Sequence, residues 1–297
     1  MKTYLECIPC IIRQCLNTLN LIHCSESVSI KAMRELLNNL SNIDYDLPPA
    51  YNSDIAYSIS GGLAGVKDPY YKLKKECNKL ALKIYPRLKE IVKLAPDGLY
   101  AGAKVAVEGN IIDLGISKNR DKSMDVEKII DDIKNMPLGV DDFDKFRESL
   151  GEAENILYIG DNAGELVFDK IFIEELVRLD KNIVFSVKSG PIINDATMED
   201  AEEVGLCSLV KVIETGNDKI GVNFEYMSNE FLEEFRKADL IISKGQANFE
   251  TLDSIDANIF FILKAKCNIV ARKLGVNYLD VVIIKRKPEW GDRNNNF

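Results

Sequence analysis

Histidine is almost missing from this chain of 297 residues; His23 stands alone. A zinc site built on two or three imidazoles is therefore excluded. A Ser-His-Asp triad would have to use His23, which lies in a helical segment with no nucleophile elbow beside it. Acid–base and ligand chemistry must rest on carboxylates, amides, lysines or thiols. Clustered positive charge is also lacking. The 38 Lys and Arg are outnumbered by 47 Asp and Glu, for a net charge of −9, and no polybasic run occurs. That argues against nucleic acid as a partner. No apolar stretch has the length of a membrane span. The opening MKTYLECIPC has no small-residue cleavage site, so the expectation is a cytoplasmic protein with no membrane partner. There is no G-x-x-x-x-G-K-[ST] and no G-x-G-x-x-G. No Asp-x-Asp follows a strand.

Hydrophobic residues make up 46% and charged residues 29%, the proportions of an ordinary globular protein. The first hundred residues read as helices. Ile8, Ile12, Leu16, Leu19 and Ile22 recur at helical spacing, as do Ile30, Met33, Leu37 and Leu40. A turn-rich stretch is expected from Pro48-Pro49 to Gly61-Gly62. Asp68-Pro69 opens another helix, with Leu73, Cys77, Leu80, Ile84 and Leu88 as its stripe and Pro86 as a kink or stop. A short helix over Leu99 to Val107 halts at Gly109-Asn110. From Asp121 to Ser149 we expect helix and connection, and a loose tail at Asn294–Phe297.

The second half alternates short branched runs with amphipathic segments. The runs are Ile156–Ile159, Ile183–Val187, Leu209–Ile213, Leu240–Ile242, Ile259–Leu263 and Val281–Ile284. Leu166 to Leu179 and Phe231 to Lys237 read as helices between them. This rhythm predicts an α/β fold: a three-layer α/β/α domain with a mostly parallel sheet over 121–297, and a helical N-terminal domain over 1–120.

Ligands of open α/β sheets sit beyond the carboxyl ends of the strands. After Ile159 comes Gly160-Asp161-Asn162-Ala163-Gly164-Glu165, whose Asp161 and Asn162 offer adjacent hard oxygens suited to Mg²⁺ or Mn²⁺. Either residue can equally serve as a plain helix cap. After Val187 comes a Gly190-Pro191 loop ending in Asn194-Asp195, again cap or ligand. One carboxylate rarely holds a divalent ion, but two can. After Ile213 lies the polar loop Glu214 to Asp218. After Ile242, Lys244-Gly245 precede Asn248, and a lysine there suits a phosphate. Four loops on one edge with this mix point to a divalent metal acting on a phosphorylated small molecule. A methyltransferase binding a nucleoside cofactor in the same loops is the alternative, and a non-enzymatic metal- or metabolite-binding protein is a third reading.

The segments Tyr158 to Glu165, Gly190-Pro191 to Asn194-Asp195 and Lys244 to Glu250 resemble the signatures of the DUF89 family, metal-dependent damage-control phosphatases. Cys7-Ile8-Pro9-Cys10, Asp68-Pro69-Tyr70 and Gly109 to Asp113 resemble its prokaryotic branch bearing Cys-x-x-Cys. The resemblance implies that Asp161, Asn162 and Asp195 bind the metal and that Lys244 contacts the substrate phosphate, with Glu165, Asn194 and Asn248 as neighbours. Mn²⁺, Mg²⁺, Co²⁺ or Ni²⁺ would serve. The activity it implies is hydrolysis of small phosphate monoesters, sugar phosphates or related damaged metabolites, by metal-activated water. Backbone N–H groups of Gly164, Gly190 and Gly245 would assist the phosphate, and Glu165 or Asp195 would orient the water. Seven cysteines make an odd set. Cys7 and Cys10, with Cys77 from another helix, form a candidate structural thiol or metal site.

Overall fold

The computed structural model describes residues 1–109, Asp131 and 135–286. Five helices come first: α1 (Cys7–Leu21), α2 (Glu26–Leu40), α3 (Pro49–Ala64), α4 (Tyr71–Leu94) and α5 (Gly98–Glu108). Then follow β1 (Leu138–Asp141), α6 (Phe143–Glu152), β2 (Asn155–Ile159), α7 (Glu165–Val177), β3 (Asn182–Val187), α8 (Met198–Glu203) and β4 (Lys211–Glu214). After them come α9 (Asn229–Lys237), β5 (Leu240–Lys244), α10 (Gln246–Leu252), β6 (Ile259–Lys264), α11 (Asn268–Leu274) and β7 (Val281–Lys285). Among the described residues no helix is long and apolar enough to cross a membrane.

The strands form one sheet in the order β1-β7-β6-β5-β2-β3-β4. Five run parallel, from β4 across to β6. β7 pairs antiparallel with β6, and β1 runs parallel to β7, so these two are reversed. Alternation sorts the strand residues onto two faces. Ile156, Tyr158, Leu240, Ile242, Phe260 and Ile262 pack against α4 to α7. Leu157, Ile159, Ile241, Phe261 and Leu263 pack against α9, α10 and α11. Burial on both faces explains why these strands read as unbroken apolar runs. The three-layer α/β architecture and mostly parallel sheet are those predicted.

Several local expectations need correction. The stretch from Pro48 to Gly62 is not turn-rich; it is helix α3. Pro49 sits at its start, where a missing N–H costs nothing, and Gly65 at φ 66° ends it. Pro86 lies inside an unbroken α4. On α1 and α2 the buried residues are Ile11, Cys15, Thr18 and Leu19, then Ala32 and Leu36. Leu16, Ile30 and Leu37 are exposed. Most of the buried stripe runs one position earlier than expected: Ile11, Cys15 and Leu36 face the core in place of Ile12, Leu16 and Leu37, while Leu19 is buried as expected. β4 starts two residues later than predicted, and β1 was not foreseen, because Leu-Gly-Val-Asp is short and only half-buried.

Helices α1 to α3 share a core of their own, whereas α4 and α5 belong to the core under the sheet. The expected boundary at 120/121 lies outside the described residues. So do Asn110 to Asp113, the 121–130 part of the expected connection, and the Asn294–Phe297 tail.

Candidate active site

The chain moves outward from β2 to β3 and β4, then returns to β5 on the other side of β2. That reversal makes a topological switch point between β2 and β5, where adjacent loops diverge and leave room for a ligand. Asp161 follows β2 there, and Gly245 follows β5. A Cβ on Gly245 would fall 2.0 Å from Asp161 Oδ2, so the Asp161 carboxylate rests on bare backbone. Gly245 holds φ 83° and ψ 161°, a region nearly confined to glycine.

The loop after β3 is stitched to the loop after β2. Asn162 and Asp195 form an isolated antiparallel bridge. Ala163 donates its N–H to Asn194 O at 2.9 Å, and Ala196 donates to Asp161 O at 2.8 Å. Asp161, Asn162 and Asp195, far apart in sequence, are thereby drawn together. Asn162 donates through Nδ2 to Asp161 Oδ2 (3.0 Å) and Glu165 Oε1 (2.7 Å). Its amide oxygen is thus turned to the other side. Burial, then the nearby Glu165 and Asp195 charges, raise the Asp161 carboxyl well above its ordinary range, and Lys266 and Lys244 offset this only in part. The charged form of Asp161 is thus disfavoured by these surroundings. Two carboxylates and an amide oxygen around such a spot fit a hard divalent cation. Among the described residues no three His, Cys, Asp or Glu side chains gather closely enough to hold a metal, so such a site rests on the amide as well.

Lys244 is placed differently from the sequence expectation. Its ammonium is fully buried and donates to Asp169 Oδ1 (2.6 Å), Ala106 O (2.8 Å) and Glu165 Oε2 (3.4 Å). An ammonium has three hydrogens, and here all three face protein acceptors, which leaves none for a phosphate. Burial pulls its pKa down, but Asp169 and Glu165 more than reverse that and keep it charged. Glu165 accepts from Asn162 with one oxygen and from Lys244 with the other, so in this geometry it positions the loop rather than a water. Asn248 donates to Gly160 O (3.0 Å) and Lys244 O (2.8 Å) and ties the β2 and β5 ends together. Gly164 gives its N–H to Asn78 Oδ1 at 2.6 Å, not to an open site. Gly190 packs against the Asp218 side chain.

Three residues gain importance that the sequence reading passed over. Lys188 is buried at the end of β3, 3.8 Å from Asp195 Oδ2, and donates to Gly221 O at 2.5 Å. Burial lowers its pKa, against the pull of Asp195, Asp161 and Asp54. It directly follows a strand, much as Lys244 closes one, and that was a signal in plain view. Asn78, on α4, also donates to Asp200 Oδ1 at 3.0 Å, so one helix of the first hundred residues shapes the loop after β2. An amide beside Cys77 on an apolar stripe was its mark. Asp169 stands four residues after Glu165 on the same helix, fully buried among Phe168, Ile171 and Phe172 in the chain. It takes the Lys244 hydrogen bond and one from Tyr158 at 2.7 Å.

The thiols divide. Cys7 and Cys10 lie near each other and near Cys267, and all three are pushed up first by burial. Cys77 is not with them. It is buried in the core under the sheet, against Gly164, because it lies on the face of α4 that packs on α7. The expected trio of Cys7, Cys10 and Cys77 is not assembled.

An α/β/α sheet with acidic loops meeting at its switch point defines the class of open α/β folds that take ligands at that edge, and similarity to known proteins narrows it. The sequence profile of the damage-control phosphatase ARMT1-like domain matches residues 3–282. Damage-control phosphatase PH1575 of Pyrococcus horikoshii is 38% identical, over 97% of this chain and 99% of that protein. An uncharacterized protein of Methanocaldococcus jannaschii is also 38% identical, over 95% of this chain and 94% of its own. A damage-control phosphatase of Archaeoglobus fulgidus is 32% identical over 74% and 76%. The crystal structure of the P. horikoshii DUF89 protein superposes with a TM-score of 0.88 at 36% identity, covering 97% of this chain and 100% of that one. The chain belongs to the damage-control phosphatase ARMT1-like (DUF89) family, and the family supports a phosphatase role.

Proposed function

We propose that this protein is a metal-dependent phosphatase that hydrolyses phosphate monoesters of small metabolites, sugar phosphates among them. One observation carries the reading. Asp161, Asn162 and Asp195, from two separate loops, are drawn together at the switch point by the Asn162–Asp195 bridge and the Ala196 N–H to Asp161 O bond. Asp161, Asn162 and Asp195 would hold the ion. A divalent cation supplies Lewis-acid chemistry and charge neutralisation for a phosphoryl group.

The protein's own residues supply position. Gly245 and the Ala196 N–H fix Asp161 from two sides. Glu165, itself held by Lys244, fixes the Asn162 amide. Lys188 places a cation beside Asp195, where it can meet a phosphoryl oxygen and stabilise the charge that spreads over it during transfer. The buried set of Lys244, Asp169 and Tyr158 acts from behind, as a brace for Glu165. Asp195, at the mouth of the β3 loop, is the group left to orient an attacking water.

The test is hydrolysis of an aryl phosphate by metal-stripped protein, with Mg²⁺, Mn²⁺, Co²⁺ and Ni²⁺ returned one at a time, beside Asp161→Ala. Turnover restored by a metal in the native protein and absent from the variant supports the reading. Equal turnover in both, or turnover untouched by stripping, rejects it.

A further inference from the structure

A cleft of about 470 Å³ opens beside the Asp161 cluster, walled by α3 and by the loops after β3 and β4. It sits in the range of small-molecule sites. Its lining includes Asp54, Tyr57 and Ser58 of α3, Pro191 and Ile192, and Lys219. None of Asp161, Asn162 or Asp195 lines it, yet it is tied to them through one short segment. Asp54 Oδ1 accepts the Ile220 N–H at 2.8 Å. Lys188, which pairs with Asp195, donates to the carbonyl of the next residue, Gly221. Asp54 and Lys188 thus hold consecutive residues of one segment. The loop that contributes Pro191 and Ile192 to the cleft ends three residues later at Asp195.

The cleft's chemistry is selective. Its floor is apolar, with Ile192 and the Tyr57 ring packed in one small cluster. Two carboxylates, Asp54 and Asp218, are balanced by Lys67 and Lys219 at the rim, so a second phosphate or a carboxylate gains no net attraction. Asp54 uses one oxygen on Ile220, and its other oxygen has no partner among the described residues. The Tyr57 hydroxyl, closed off from solvent, also lacks one. Burial pushes the Asp54 carboxyl up to about 6, against the Ile220 N–H, Lys219 and Lys188, which marks a carboxylate short of hydrogen-bond donors. A neutral ligand rich in hydroxyls supplies donors without adding charge.

Resting on the phosphatase reading, we propose that this cleft seats the organic part of the phosphate ester and selects a polyhydroxylated chain, with Asp54 as the specificity-determining acceptor. Specificity then resides in helix α3, while the chemistry resides in the sheet loops. The phosphoryl group lies by Asp195 and Lys188, and the hydroxyl-bearing chain runs over Pro191 and Ile192 towards Asp54.

The test compares ribose 5-phosphate with n-pentyl phosphate, which offers a chain of like length without hydroxyls, in the metal-loaded native protein, Asp54→Ala and Asp54→Asn. Asn keeps an acceptor for the Ile220 N–H and so keeps the fold. The readout is the ratio of kcat/KM for the two esters. The native ratio is expected to favour the ribose ester at least about tenfold, as for a hydrogen bond to a charged group. It should fall towards one in Asp54→Ala and by several-fold in Asp54→Asn, mainly through KM. A native ratio near one, or a ratio unchanged in both variants, overturns the proposal. If the native protein hydrolyses no ester with any metal, the phosphatase reading falls on its own. Calorimetric titration with the same two esters then decides the cleft. Tighter ribose 5-phosphate binding that Asp54→Asn loses sustains the assignment; equal binding of the two esters overturns it.

Discussion

Gly245→Ala offers a severe test of how the site is built. The residue holds φ 83° and ψ 161°, and forcing a side chain into that region costs about 1–3 kcal/mol. The new Cβ would also lie 2.0 Å from Asp161 Oδ2 and 2.2 Å from its Cγ. Carbon atoms in contact stay about 3.5–4.0 Å apart, so the carboxylate must retreat by more than about 1 Å. A shift of that size in a catalytic constellation can cost on the order of 100-fold in rate. Gly275→Ala is the control. It sits at φ 72° with nothing within 4 Å of its Cβ position, so it bears only the left-handed backbone cost of about 1–2 kcal/mol. Both variants should therefore melt a few degrees lower, since roughly 2–4 °C follows each kcal/mol in a chain of this order of size. Only Gly245→Ala should lose metal-dependent hydrolysis of an aryl phosphate, by about 100-fold. The assays are thermal unfolding and steady-state turnover on the same preparations. Gly245→Ala with turnover within threefold of native would refute the reasoning, as would an equal loss in Gly275→Ala.

Lys244→Met should strand Asp169 and Glu165 as buried unpaired carboxylates and destabilise the fold by about 3–5 kcal/mol in urea titration. A variant of native stability that merely binds inorganic phosphate more weakly would instead return Lys244 to direct substrate contact. Asn78→Leu removes the acceptor for the Gly164 N–H and should cost about 1–3 kcal/mol together with turnover; intact turnover would show that the loop after β2 holds itself. Burial raises the Glu250 carboxyl from 4.5 to about 7. The native state therefore holds that proton more tightly than the unfolded chain. The resulting stability is fully present below pH 4.5 and is lost as pH rises to about 7. Its ceiling is about 3 kcal/mol. Thermal midpoints should thus fall more steeply between pH 5 and 8 in the native protein than in Glu250→Gln, and parallel curves would contradict the assignment.

What could be read from the sequence followed from local rules. Strands buried on both faces declare themselves as branched apolar runs, which is why β2, β3, β5, β6 and β7 were legible. The loops behind β2, β3 and β5 were legible because glycine, acid and amide stand together at strand ends. Short elements with mixed burial escaped, β1 above all. Helix α3 escaped because proline and glycine at the two ends of a helix look like turn residues until their positions are known. Side-chain direction was the larger loss. Lys188 follows one strand and Lys244 closes another, and the two look alike in sequence. Only three dimensions show that one lies beside Asp195 and the other among Asp169, Glu165 and Ala106. Asn78, 86 residues before the glycine it holds, belongs to the same category. A hydrogen bond between distant segments leaves no periodicity to find.

The reversal of β7 and β1 has a practical consequence. Five strands send their carboxyl ends to the rim where the acidic loops meet, while these two send theirs to the opposite rim. Lys285, the last residue of β7, therefore stands with the sheet between itself and the cleft. A tether, fluorophore or solid support joined near that residue would orient the molecule with its acidic-loop rim facing the bulk solution. Substrate would then reach an immobilised enzyme without having to pass the attachment point.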